Sequence, residues 1–108
     1  MPDPGSSVQQ QAEAVRLIRM LAHARRARIE PRVQTDLDEL GYDVEDVLSC
    51  LVTIDVKEIH KEEPDEKLSD KMVYVFRKRY EERVLYVKVS IRLPKDHDLK
   101  ILSFKNWS

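Results

Sequence analysis

The sequence predicts an α+β domain in which two or three N-terminal helices pack on one face of a C-terminal antiparallel sheet of three to four strands. Two patterns carry this prediction: apolar residues recur at helical spacing up to residue 52, and side chains alternate with a period of two after residue 71. The chain has 108 residues, of which 42% are hydrophobic, so it can bury one modest core. We therefore predict a single domain over residues 11–108, preceded by a flexible leader over residues 1–10.

The first half of the chain predicts three helices. Helical spacing of apolar residues indicates the first over residues 12–26. The second, over residues 32–40, should end at Gly41, because glycine readily adopts the left-handed conformation that follows many helices. Asp43 is then placed to cap a third helix. The core-facing stripe of this third helix consists of Val44, Val47, Leu48, Leu51 and Val52.

Cys50 is the single cysteine, which excludes an internal disulfide and favours a reducing cytosol. It lies beside the apolar stripe of the third helix with no histidine near it in sequence, so we expect a packed side chain rather than a nucleophile. No apolar run approaches the roughly 20 residues that span a bilayer. We therefore expect a cytoplasmic protein that does not engage a membrane.

The remainder of the chain predicts strands. The charged segment after the third helix begins with a short edge strand over residues 55–62, which Pro64 ends, and continues as a mobile loop over residues 63–70. In the last strand, Leu102 and Phe104 are expected to face the core. The three strands with period-two alternation are predicted over residues 72–80, 84–92 and 99–105.

Residues 71–108 are strongly cationic. They contain ten Lys or Arg residues against four acidic ones, an excess of six positive charges in a chain of formal net charge −1. Clustered cationic side chains repel one another unless an anion binds between them, so we expect a phosphate-bearing ligand here.

Strand register brings three polar side chains of this segment together. A turn centred on residues 81–82 pairs Arg77 with Tyr86, and a slip of two residues would substitute Arg79 on the same face. Matching the apolar positions of the last two strands pairs Lys105 with Tyr86 as well. Paired side chains lie about 5 Å apart at Cβ, so Tyr86 should lie between Arg77 and Lys105, facing away from the core.

Such a trio suits metal-free RNA cleavage, in which a ribose 2′-OH attacks the adjacent 3′-phosphate. Arginine can bind two phosphate oxygens at once, and tyrosine or lysine exchanges protons where nearby cations lower its pKa. Tyr86 could instead stack on a base, and the plainer alternative is a solvent-facing tyrosine beside lysines that protect a sheet edge. Three further cations on these strands are expected to bind RNA: Arg79, Lys88 and Arg92.

Other kinds of site find little support. The three histidines, His23, His60 and His97, lie far apart in sequence and there is one cysteine, so no metal site is predicted. With Gly5 and Gly41 as its two glycines, the sequence contains no glycine-rich phosphate loop. We predict neither a metal nor another cofactor.

An ordered set of short motifs runs through the last two thirds of the sequence. It comprises Asp38-Glu39-Leu40-Gly41, Asp43, Lys61 after an Ile-His pair, Arg77, Arg79, Tyr86-Val87-Lys88 and Leu102-Ser103-Phe104-Lys105. This set resembles the MqsR family of bacterial toxins, messenger-RNA interferases of the RelE-like superfamily. The resemblance implies a RelE-like fold, a ribonuclease that cuts mRNA, and a cognate antitoxin as protein partner.

The resemblance also implies site residues. Carried over by position, the family's functional lysine, tyrosine and C-terminal lysine fall on Lys61, Tyr86 and Lys105. The arginine of the intervening strand falls on Arg77, which completes a set of four candidate catalytic residues. The family's glutamine near the site corresponds to Val73, which cannot form a side-chain hydrogen bond. A catalytically inactive module that binds RNA or a protein partner is therefore an alternative.

Overall fold

A computed structural model describes residues 4–68 and 70–107, with side chains from residue 8 onward. The protein consists of three α-helices and five β-strands within these residues. In chain order they are α1 (Pro4–His23), β1 (Ala27–Ile29), α2 (Pro31–Leu40), α3 (Val44–Leu51), β2 (Ile59–Pro64), β3 (Met72–Tyr80), β4 (Arg83–Ile91) and β5 (Leu99–Asn106).

The first helix differs from the prediction at both ends. It begins at Pro4, so residues 4–10 of the expected leader are helical, and residues 1–3 lie outside the described residues. It ends at His23 rather than at residue 26 because Arg25 adopts a positive φ of 60°, which turns the chain towards β1.

The other helix boundaries follow the sequence closely. Gly41 adopts a φ of 77° and its N–H donates to Asp38 O, as predicted for a left-handed cap. Asp43 caps α3, because its carboxylate accepts the Asp46 N–H at 3.1 Å and the Asp46 carboxylate accepts the Asp43 N–H at 2.9 Å. Cys50 is fully buried, and burial raises the pKa of its thiol to about 12, as suits a packed side chain.

The sheet has the strand order β1-β5-β4-β3-β2. The α+β class is confirmed, but the sheet is mixed and has five strands instead of three to four antiparallel ones, because β1 pairs with β5 in parallel. The sequence gives no sign of β1, since three residues are too few to show an alternation.

All three helices contribute buried residues to one core on one face of the sheet. The largest fully buried side chains on the strands are Tyr74, Phe76 and Phe104, and they share a cluster with Ile18 of α1 and Leu37 of α2. The opposite face, which we call the outer face, carries the side chains that alternate with these core positions.

The core position predicted for Leu102 is wrong. A β-bulge shifts the pairing from Lys88–Ser103 to Val89–Ile101, so Leu102 is the extra residue. Ile101 is fully buried in its place, whereas Leu102 is half-buried. A bulge of one residue leaves the alternation on either side intact, which is why the sequence pattern does not reveal it.

The chain enters β2 through a 3₁₀ turn, Val56–Glu58, so the strand predicted to start at residue 55 begins at Ile59. Asp55 and Glu58 cap this turn with their carboxylates. Lys78 lies on the core side of β3 at 7% exposure, and its Nζ contacts Glu58 at 3.2 Å and donates to Thr53 O at 3.0 Å. These contacts hold the entry to β2 against the sheet.

The loop predicted over residues 63–70 begins later, because Glu63 and Pro64 belong to β2. At its start, the Asp65 carboxylate accepts the Lys67 and Leu68 N–H groups and the hydroxyl of buried Ser90. The first part of the loop is thereby fastened to the outer face of the sheet.

Candidate nucleic-acid interface

The centre of the outer face is a row of three side chains from neighbouring strands. Tyr86 of β4 pairs with Arg77 of β3 on one side and with Lys105 of β5 on the other, which confirms the predicted register. The Lys105 ammonium nitrogen lies 5.1 Å from the centroid of the Tyr86 ring. Arg77 and Lys105 are exposed and Tyr86 is half-buried, so a ligand can reach all three.

Trp107 extends this row, and the sequence interpretation missed it. Its ring centroid lies 5.7 Å from that of Tyr86, and the Arg77 guanidinium carbon lies 5.7 Å from the indole centroid. Its backbone N–H donates to Val84 O at 2.9 Å, which fixes its position just beyond β5. The alternation that places Lys105 outward continues to residue 107 and could have identified it.

A β-bulge in β2 adds His60 and Lys61 to the outer face. Ile59 pairs with Phe76 and Lys61 pairs with Val75, so His60 is the additional residue between two consecutive pairs. Its imidazole packs edge-on against Trp107, with 4.8 Å between ring centroids and an 87° interplanar angle. The sequence interpretation did not select His60, because strict alternation gives adjacent residues opposite faces.

Lys61 lies on the outer face but apart from the central row. It pairs with Val75, in the row next to that of Arg77. Its ammonium group forms an ion pair with Glu63 at 3.4 Å. Neighbouring strands are about 4.8 Å apart, so β2 and β4 are separated by about 10 Å. Lys61 and Tyr86 therefore lie on opposite sides of β3.

The three residues expected to bind RNA are not equally placed. Arg79 pairs with Val84 in the row beyond Arg77 and is exposed. Lys88 pairs with Ser103 in the row on the other side of Tyr86. Arg92 follows the end of β4, where its guanidinium contacts Asp70 and Lys95 O, each at 3.4 Å. The structure thus places Arg79 and Lys88 in the rows on either side of the Tyr86 row but leaves Arg92 at the far end of the strand.

A cavity of about 400 Å³ opens beside Lys88, beneath the loop that Asp65 fastens. Val73, the position at which the resemblance implies a glutamine, lines this cavity at 5% exposure. Lys100 also lines it and contacts Glu30 at 3.0 Å, and the hydrogen bond from Lys100 lowers the pKa of the Glu30 carboxyl. The residue at position 73 therefore faces a polar cleft four residues along β3 from Arg77.

The cations around Tyr86 lack acidic partners. Within residues 4–68 and 70–107, each acid–base pair closer than 4.0 Å involves other side chains. The outer-face cations without such a partner are Arg77, Arg79, Lys88 and Lys105. Uncompensated positive charge on an exposed surface attracts anions, which is the property that the charge excess after residue 71 predicts.

Two further properties concern the described part of the chain. No group of three or more His, Cys, Asp or Glu side chains there is arranged to hold a metal ion. None of its helices is long and apolar enough to cross a membrane.

The fold and this surface define a small α+β protein whose sheet presents an exposed cationic and aromatic face. Residues 12–106 match the sequence model of the family described as "Motility quorum-sensing regulator, toxin of MqsA", and the chain belongs to this MqsR toxin family. The resemblance inferred from the motifs is thereby confirmed. No curated protein and no solved structure matches the chain. The family description makes the protein a toxin of a toxin–antitoxin system, with an antitoxin as its partner.

Proposed function

We propose that the protein is a metal-independent endoribonuclease that cleaves mRNA in the cytoplasm and so inhibits translation and growth until its antitoxin binds. The observation that carries this proposal is the row Arg77–Tyr86–Lys105, in which a tyrosine is flanked by two exposed cations that have no acidic partner among the described residues. The arrangement supports phosphate binding next to a side chain that can exchange a proton.

The proposed reaction requires no group from outside the RNA and the protein. The ribose 2′-oxygen forms a bond to phosphorus and loses its proton to a base, the bond from phosphorus to the 5′-oxygen breaks, and that oxygen receives a proton. The products are a 2′,3′-cyclic phosphate and a 5′-hydroxyl. Stabilising the added negative charge on the phosphate is commonly the largest contribution to catalysis in such a site.

Four residues take the roles in this mechanism. Arg77 and Lys105 bind the non-bridging phosphate oxygens from the two sides of Tyr86. Tyr86 and Lys61 share the two proton transfers, with either as the base. Lys61 reaches the RNA from across β3, because its strand is two positions from that of Tyr86 in the sheet. Arg79 and Lys88 bind neighbouring phosphates along the strand rows.

The decisive experiment is incubation of RNA with purified protein in EDTA. We expect cleavage, 2′,3′-cyclic phosphate ends, and protection of any position that carries 2′-deoxyribose. Lys105→Ala should reduce the rate at least about 100-fold, because it removes charge stabilisation at the phosphate. Lys95→Ala is the matched control, because it removes an equal charge from the exposed loop before β5 and should cleave normally. Intact RNA, or full activity of Lys105→Ala, contradicts the proposal.

A second candidate function follows from Val73. A hydrophobic residue in place of the family's glutamine favours a module that binds RNA or a protein without cutting. Such a protein would bind RNA with an affinity that falls steeply with salt, leave the RNA intact, and fail to arrest growth when expressed. Val73→Gln restores the family residue, and it would create or raise cleavage if position 73 is what limits the activity.

A further inference from the structure

Trp107 is the chain's one tryptophan and it stands beside the proposed phosphate site. Three residues from three strands surround its ring. The ring centroids of Tyr86 and His60 lie 5.7 Å and 4.8 Å from the indole centroid, and the Arg77 guanidinium carbon lies 5.7 Å from it. Its side chain is half-buried, whereas a tryptophan that packs in the hydrophobic core would be expected to be buried. It belongs to the outer face and is not among the residues of the helix-side core cluster.

The surroundings of Trp107 limit its movement. Its backbone N–H donates to Val84 O at 2.9 Å, and the bulge in β2 directs His60 against its ring. Bulges re-aim side chains and occur frequently beside functional sites. A rigid, partly exposed indole among cations is the type of surface on which proteins stack the bases of single-stranded nucleic acid.

We propose that Trp107, with His60 packed against it, is a stacking site for one nucleobase of single-stranded RNA, adjacent to the phosphate that Arg77 and Lys105 bind. This inference rests on the proposed function for the identity of its ligand. Lys105 and Trp107 are two residues apart on an extended chain, about 7 Å, so one nucleotide can place its phosphate at the first and its base at the second.

Arg77 connects the two parts of this site. Its guanidinium contacts the indole at cation–π distance and also lies in the register row of Tyr86. A planar guanidinium held by an aromatic ring keeps N–H groups available for phosphate oxygens. Stacking is tolerant of base identity, so the site would fix the position of the nucleotide next to the scissile bond without selecting its base by hydrogen bonds.

The single tryptophan makes the inference directly measurable, because all indole fluorescence comes from this site. The probe is a short RNA in which every ribose is 2′-O-methylated, which removes the nucleophile and prevents cleavage. We expect bound RNA to quench the fluorescence and to shield the indole from added acrylamide. In a series with one abasic nucleotide at each position in turn, one position should lose the quenching and bind about tenfold more weakly.

Two variants separate stacking from a structural role. Trp107→Phe keeps an aromatic ring and should bind the RNA within about threefold of the parent, measured by anisotropy of a labelled probe. Trp107→Leu keeps an apolar side chain without a π face and should bind about tenfold more weakly, with an unchanged urea midpoint. If both variants bind RNA as tightly as the parent, the inference is overturned although the protein still binds RNA. The same holds if none of the abasic positions removes the quenching. RNA that does not bind the parent protein overturns the proposed function as well.

Discussion

Tyr86 pairs with a residue of each of the two neighbouring strands. The pairing with Arg77 follows from a two-residue turn and that with Lys105 from matching apolar positions, so both could be predicted from the sequence. Trp107 continues the outward alternation of β5, so its position on the outer face could also have been predicted, whereas the 5.7 Å between its ring centroid and that of Tyr86 depends on tertiary structure. The phenol oxygen is the atom that the proposed mechanism requires, and the ring can be kept while it is removed.

Tyr86→Phe therefore tests chemistry apart from packing. We expect RNA cleavage to fall about 10²- to 10³-fold, because one proton-transfer group is lost, while affinity for 2′-O-methyl RNA stays within about twofold. Tyr42→Phe is the matched control, since Tyr42 packs against Tyr80 and Phe104 away from the proposed phosphate site. Cleavage by Tyr86→Phe at the rate of the control would remove Tyr86 from the mechanism.

A second residue-scale prediction concerns Tyr80, whose hydroxyl donates to the Asp46 carboxylate at 2.8 Å. This hydrogen bond, together with burial, raises the pKa of Tyr80 to about 12. Since the folded-state pKa exceeds the ordinary value of about 10, the stabilisation is complete below pH 10 and is lost as the pH rises to about 12. Tyr80→Phe should cost about 1 kcal/mol at pH 7 and should lose less stability than the parent between pH 9 and 11.

Urea unfolding at pH 7, 9, 10 and 11 provides the measurement. Burial also raises the pKa values of Cys50 and Tyr42, and both groups are present in the parent and the variant. Parallel pH profiles for parent and variant would show that the Tyr80 hydroxyl does not contribute in this way.

At the scale of elements, the sequence predicts the helices and strands that have a regular apolar pattern, and it does not predict the bulges that interrupt such a pattern. The caps at Gly41 and Asp43 and the strands after residue 71 follow from local chemistry that the sequence displays. The formation of β1 requires its partner β5, and the bulges at His60 and Leu102 arise from the pairing of neighbouring strands. None of these three features therefore has a local sequence signature. For this reason the predicted site contained Tyr86 and Lys105 but lacked His60, whereas the regular alternation of β5 would have included Trp107.

The element whose placement matters most to the site is β2, and Lys78 holds its entry. Lys78→Met keeps the apolar stem but removes the contacts with Glu58 and Thr53 O, leaving a partly buried carboxylate without its cation. We expect a loss of about 2 kcal/mol in the free energy of unfolding, below the range for fully buried pairs because Glu58 keeps some exposure. Urea denaturation measures it, with Lys57→Met on the exposed side of the same turn as the control. Equal midpoints for the two variants would mean that the pair contributes nothing net.

At the scale of the whole molecule, opposite charges are divided between the two parts of the chain. Residues 71–108 carry six excess positive charges, whereas the first 70 residues carry seven excess negative ones. The last three strands place four of those cations on the outer face without an acidic partner in the described part of the chain, and the helices pack on the other side. The protein is thus nearly neutral in total and cationic on one face, which directs a polyanion to that face.

This division predicts the salt dependence of RNA binding. If the four unpaired cations Arg77, Arg79, Lys88 and Lys105 each neutralise one phosphate, the logarithm of affinity should fall against the logarithm of salt with a slope of roughly −3, since each contact to single strands contributes about −0.7. Lys105→Ala should make the slope shallower by about 0.7, and Lys95→Ala should leave it unchanged because that lysine lies in the loop before β5. Titration of 2′-O-methyl RNA at several salt concentrations measures these slopes. Equal slopes for the two variants would show that the RNA follows the net charge of the protein rather than its outer face.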